Sequence, residues 1–123
     1  MAGSPLERLR SRARKGFRGY PIATVAFYGP TNEVASKVAV STISSDGAEA
    51  EVVGRWYNTE LDVRHDPVIG TAIVDALAKW SPRSVVVTQG IIGCPHEEGI
   101  DYPVGEQCPR CPFWANRDRW RDA

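Results

Sequence analysis

The sequence predicts an α+β fold: a small mixed sheet of about four strands in the order β-β-β-α-β, with a basic N-terminal helix and an aperiodic, cysteine-bearing C-terminal tail. Three observations predict it. Ile22 to Tyr28 is an unbroken apolar, β-branched and aromatic run, the pattern of a strand covered on both faces. Ile69, Ile73, Ala76, Leu77 and Trp80 then fall at helical spacing and lead into a second apolar run, Arg83 to Thr88. A helix that returns the chain to a strand makes that strand parallel to a neighbour and, by expectation, central in the sheet. From Gln89 onward periodicity stops, and glycine, proline, cysteine and acids take over.

The elements follow in order. Ser4-Pro5-Leu6-Glu7 has the form of a helix start, with Ser4 as cap, Pro5 in the first turn and Glu7 completing a capping box. Leu6, Leu9 and Ala13 form a narrow apolar stripe, and Gly16 is the stop. After the strand at 22–28, Gly29-Pro30-Thr31-Asn32 is a turn, and Ser36 to Ile43 a second strand. Asp46-Gly47 is a hairpin signal that leads to a third strand from Ala48 to Tyr57, with Glu49 and Glu51 on one side. Asn58 to His65 is a polar connection. Asp66-Pro67 starts the main helix and Ser81-Pro82 ends it.

Three meandering strands, a helix and a parallel fourth strand resemble the first half of the ribonuclease H-like fold over about residues 22–90. That resemblance implies metal-binding carboxylates near the ends of the first and fourth strands and in the helix. Here the strands end in Phe27-Tyr28-Gly29 and Thr88-Gln89-Gly90, and only Asp66 or Asp75 stands near the helix position. The two-metal nuclease site is absent.

The 123 residues bound the chain to one domain with one modest core. Its 42% hydrophobic and 24% charged residues are those of an ordinary globular protein. No apolar run approaches the ~20 residues of a membrane span, and the N-terminus lacks the apolar stretch of a secretory signal. A cytoplasmic location is expected. Net charge is zero, but residues 1–21 hold six basic side chains and one acid (+5), while residues 22–123 hold nine and 14 (−5). The sequence thus divides into a basic arm (1–19), an α+β core (20–92) and a tail (93–123). Arg8, Arg10, Arg12, Arg14, Lys15 and Arg18 are the candidate contacts to nucleic acid or a protein partner. Trp114 to Arg121 interleaves two tryptophans with three arginines, a pattern that stacks on nucleic-acid strands or packs on the fold.

All three cysteines lie within residues 94–111. An odd number confined to one tail is a poor disulfide framework and a good ligand set. Cys108-Pro109-Arg110-Cys111 resembles a zinc-ribbon knuckle, in which two thiolates hold one tetrahedral ion at about 2.3 Å. Cys94 and His96 supply the other two ligands of a Cys₃His site, provided that Pro95 turns the chain so that both point the same way. His65 is the reserve ligand, then Asp101 or Glu97. Zn²⁺ is the expected cofactor and an iron–sulfur cluster the minor alternative. Three free thiols and a Cys108–Cys111 redox pair stay open, the latter disfavoured because Pro112 interrupts the helix such motifs open.

His96-Glu97-Glu98 with Cys108-x-x-Cys111 also resembles the His-x-Glu and Cys-x-x-Cys pair of zinc-dependent deaminases. The nine residues between Glu98 and Cys108 are too few for the strand that family places between its motifs. A small zinc-dependent hydrolase or deaminase-like enzyme using His96, Glu97 or Glu98 next to the metal is the alternative to a binding protein with a structural zinc. No nucleophile elbow or phosphate loop is present.

Overall fold

The computed structural model describes residues 4–115. The predicted start forms α1 (Pro5–Ala13): Ser4 Oγ accepts the Glu7 N–H at 3.2 Å and the Glu7 carboxylate accepts the Ser4 N–H at 3.3 Å. Nine residues make a marginal helix in isolation. This one is held by docking. Leu9 is buried in the core, with Leu6 and Ala13 packed beside it. Pro5 lies on Gly70 of α2 (Pro67–Trp80), where a Cβ would stand 2.7 Å from the proline ring, so the crossing requires glycine.

The sheet holds β1 (Ile22–Tyr28), β2 (Lys37–Ile43), β3 (Glu51–Tyr57) and β4 (Ser84–Ile91) in the order β3-β2-β1-β4. β1 pairs antiparallel with β2 and parallel with β4, and β2 pairs antiparallel with β3. Both helices cover one face. There Ala23, Val25, Phe27, Val38, Val40, Val85 and Val87 meet Leu9, Ile69, Ile73 and Leu77. Strand alternation puts Tyr28, Lys37, Ala39, Arg55 and Tyr57 on the opposite face.

Two expectations are corrected. β4 is an edge strand, not a central one. β2 already occupies one side of β1, so the return through α2 fills the other side, and no further strand follows among the described residues. Val86, whose side chain lies on the face away from the helices, is 49% exposed, whereas Val85 and Val87 are buried. The third strand begins at Glu51 rather than Ala48. Asp46-Gly47 turns the chain inside a longer loop, with Ala48 N–H bonded to Ser45 O at 3.1 Å and Gly47 at φ +81°. Glu49 therefore lies in that loop, outside the ladder.

The β1–β4 ladder carries the irregularity that positions the tail. Val25 faces Val87, but Phe27 faces Ile91, so β4 holds two extra residues. Thr88 fills the gap: its Oγ1 accepts the Phe27 N–H at 3.3 Å and donates to Gly90 O at 3.1 Å. Pairing then resumes beyond both strands, with Ile92 N–H on Phe27 O and Gly29 N–H on Gly93 O, each at 2.9 Å. Cys94 is thereby delivered beside the C-terminal end of β1.

Candidate metal centre

Cys94 is buried directly after this ladder, and Cys111 is buried as well. Pro95 bends the chain so that Cys94 Sγ–H reaches its own neighbour, His96 O, at 3.5 Å. The Cys-x-His segment is thus folded rather than extended, and both side chains turn to one point. The knuckle approaches from the other side. Its exit is fixed by the Pro112–Trp114 turn, by Trp114 N–H on Cys111 O at 3.1 Å, and by the Trp114 indole N–H on Gly29 O at 2.8 Å. Gly29 itself is needed for the turn before β2, because a Cβ there would collide with the Val34 carbonyl.

Cys94 Sγ, His96 Nδ1, Cys108 Sγ and Cys111 Sγ lie within 4.8 Å of one another, and this group could hold a metal ion. Cys108 Sγ and Cys111 Sγ are each 3.4 Å from His96 Nδ1. A tetrahedral ion with Zn–S of 2.3 Å and Zn–N of 2.0–2.1 Å would set sulfur and nitrogen about 3.5 Å apart. The spacing fits one ion, whereas an iron–sulfur cluster spreads its ligands over several irons. Burial is the main force raising the Cys94 thiol. At Cys111 burial and then the neighbouring sulfurs push it up to about 12. Three thiols in so small a volume resist ionisation unless a cation shares it.

A second polar group anchors the same segment. Lys37, at the start of β2, is buried although charged. Its ammonium donates to Pro95 O at 3.0 Å, pairs with Glu97 Oε1 at 3.3 Å, and lies 5.4 and 5.8 Å from the Tyr28 and Tyr57 ring centres. Arg55 Nε reaches the same Glu97 oxygen at 2.9 Å. Burial works to raise the Glu97 carboxyl, but the Arg55 hydrogen bond and the Lys37 charge outweigh it and hold it below its ordinary value. Pro95, His96 and Glu97 are therefore fixed to the open face of the sheet on both sides of the histidine.

The reserve ligands have other partners or lie elsewhere. Glu97 belongs to the ion triad, Asp101 accepts the Glu97 N–H at 2.7 Å, and His65 is exposed in the Val63–His65 turn. The Glu98 carboxylate accepts the Gly105 N–H at 3.0 Å and borders two clefts beside the cysteines, of 530 and 180 Å³. Asp66 caps α2, bonding the Val68 and Ile69 N–H groups at 2.9 and 3.2 Å. Asp75 is exposed.

The basic arm is divided. Arg10 donates to Thr88 O at 3.3 Å and Arg12 to Pro82 O at 3.0 Å, so these two bind the edge of the chain's own sheet. Arg8, Arg14, Lys15 and Arg18 are exposed. Arg117, Arg119, Trp120 and Arg121 lie outside the described residues. Sequence reasoning missed Lys37 and Arg55; the available signal was a lysine opening an otherwise apolar strand. Compared with known proteins, the chain matches no family model, no curated protein and no solved structure. Among the described residues no helix is long and apolar enough to cross a membrane.

Proposed function

We propose that the chain is a zinc-binding accessory protein. Zn²⁺ held by Cys94, His96, Cys108 and Cys111 clamps its tail onto the sheet, and the protein acts by binding a nucleic-acid or protein partner through the basic N-terminal region. The observation that carries the metal reading is the convergence of three sulfurs and one imidazole nitrogen within 4.8 Å. An S₃N donor set suits zinc over the hard cations, and thiols kept for a metal suit a reducing compartment such as the cytoplasm. Four protein ligands make a closed site whose role is folding. The hydrolase alternative needs an open position and a ready base. Glu97 is tied to Lys37 and Arg55, which leaves only Glu98 for that role. The strand order, with β4 parallel to β1, supports a ribonuclease H-like reading of the sheet, without nuclease chemistry.

Elemental analysis of the purified chain, beside Cys108→Ala, tests the metal reading. One zinc per chain, lost in the variant, is expected. No metal, or an iron chromophore, overturns it. Glu98→Gln should retain zinc and fold; a metal-dependent hydrolytic activity that this variant abolishes would favour the enzyme.

A further inference from the structure

We propose that Cys108 and Cys111 are a peroxide-reactive pair: a small uncharged hydroperoxide entering the cleft beside them oxidises the two sulfurs to a disulfide, which releases the metal and unfastens the tail. This rests on the metal reading above and gives that centre a substrate class.

The three sulfurs differ in access. Cys94 and Cys111 are 7% and 3% exposed, whereas Cys108 is half-buried. The 180 Å³ cleft is lined by all three cysteines, so a small molecule in it meets the more exposed Cys108 first. The Cys111 sulfur stands within 4.8 Å of the Cys108 sulfur, and both are 3.4 Å from His96 Nδ1. Pro109 and Arg110 form the turn between the two cysteines. The ends of such a turn stand within about 7 Å of each other, a span that a disulfide bridges with little movement. Cys94 comes from the other side, in the segment that continues the β1–β4 ladder through Gly93. An accessible thiolate beside a second thiol that can resolve it is the arrangement that reversible cysteine oxidation requires.

The chemistry runs in two steps. The Cys108 sulfur, a thiolate while it serves as a ligand, attacks one peroxide oxygen. The S–O bond forms, the O–O bond breaks, and hydroxide leaves. The Cys111 thiolate then attacks the Cys108 sulfenic sulfur. The S–S bond forms, the S–O bond breaks, and a second hydroxide leaves. Two protons from solvent turn the hydroxides into water, and the two electrons lost by the sulfurs reduce the peroxide. The disulfide lies wholly within the knuckle, so it does not staple the tail to the sheet. Cys94 and His96 remain as two ligands where four held the ion. Size and charge select the oxidant. The cleft is too small for a peptide disulfide such as oxidised glutathione, and its only charged lining residues are Glu98 and Glu106, which repel an anion.

The test treats the full zinc-loaded chain with hydrogen peroxide or, at equal concentration, oxidised glutathione. Zinc release is followed with a chelating dye, and the products are alkylated and mapped by mass spectrometry. Peroxide should release one zinc for each Cys108–Cys111 disulfide formed, leave Cys94 open to alkylation, and speed amide exchange from Glu98 to Trp114 while β1 and β2 stay protected. A dithiol reductant with added zinc should restore the starting state. Oxidised glutathione should release zinc at least about tenfold more slowly. Glu106→Lys, an exposed side chain outside the ligand set, should speed the glutathione reaction about tenfold and leave the peroxide rate unchanged. Zinc content before oxidation separates the two readings: a chain without zinc overturns both, whereas a chain that keeps its zinc under peroxide overturns this one alone. A disulfide that contains Cys94, or equal rates with the two oxidants, also overturns it.

Discussion

Residues 22–92 and residues 93–115 are held by different forces. In the first region, side chains such as Val25, Val38, Val40, Leu77 and Ile91 are buried almost completely between sheet and helices. Removal of apolar surface from water, spread over many contacts, stabilises that region. The second region has almost no aliphatic core: Ile100 and Val104 are 71% and 78% exposed. Its attachments are few and specific: four candidate ligand atoms, the Lys37–Glu97–Arg55 triad, and Trp114, whose indole bonds Gly29 O and whose ring packs on the core. Loss of one contact in the first region lowers a shared stability. Loss of one in the second should release a segment.

The largest expected effect breaks the second region alone. Removing zinc with a strong chelator should expose the tail amides from Cys94 to Trp114 to exchange, while those of β1 and β2 stay protected. Structural zinc sites contribute on the order of 10 kcal/mol to the peptides they fold, so the tail should lose nearly all its order. Simultaneous unfolding of tail and sheet would show that the two are one cooperative unit. Leu77→Ala reverses the comparison. It opens a cavity under the sheet and should cost about 2–5 kcal/mol of global stability in denaturant unfolding, with zinc stoichiometry unchanged in the folded fraction.

A smaller effect lies at the joint between the regions. Glu97→Gln removes the charge shared by Lys37 and Arg55 and leaves the ammonium with Pro95 O. The backbone on either side of His96 loses one of its anchors. Zinc affinity, measured by competition with a chelating dye, should fall about tenfold, the range seen when groups that orient metal ligands are removed. An unchanged affinity would mean that Pro95 alone orients the histidine.

The same contrast explains what was legible in the sequence. Apolar periodicity reports burial, so β1, α2 and the existence of β4 could be read directly. Whether β4 was central could not, because Arg83 to Thr88 is equally apolar at an edge whose inner face is covered by α1. The four candidate ligands could be read from residue type and spacing. Their approach depends on the Thr88 bulge and on Gly29, which only the β1–β4 register reveals. Lys37 was missed because a charge within a strand ordinarily faces water. Here the tail folds over it and supplies its partners, a long-range event without a local signature.

The smallest prediction concerns pH and lies wholly within the first region. Asp62 Oδ2 accepts the Ala35 N–H at 2.9 Å, and its two oxygens receive Arg64 Nε and Nη2 at 2.9 and 2.7 Å. Burial works to raise this carboxyl, but the Arg64 hydrogen bonds, with those from the Ala35 and Arg64 N–H groups, hold it down at about 2. A carboxyl whose pKa is depressed on folding contributes stability that is complete above its unfolded value near 3.8. That contribution fades as pH falls from there and is gone below about 2. The pair is partly solvated, so its share is about 1 kcal/mol after screening. Asp62→Asn should therefore lower stability by roughly that amount at neutral pH and flatten the slope of stability against pH in the acid window. The tail should not respond, because Asp62 ties the Val63–His65 turn to the start of β2 and touches none of the proposed zinc ligands. A pH-dependent change in zinc affinity traced to Asp62 would instead show that the start of β2, through Lys37, couples the two regions.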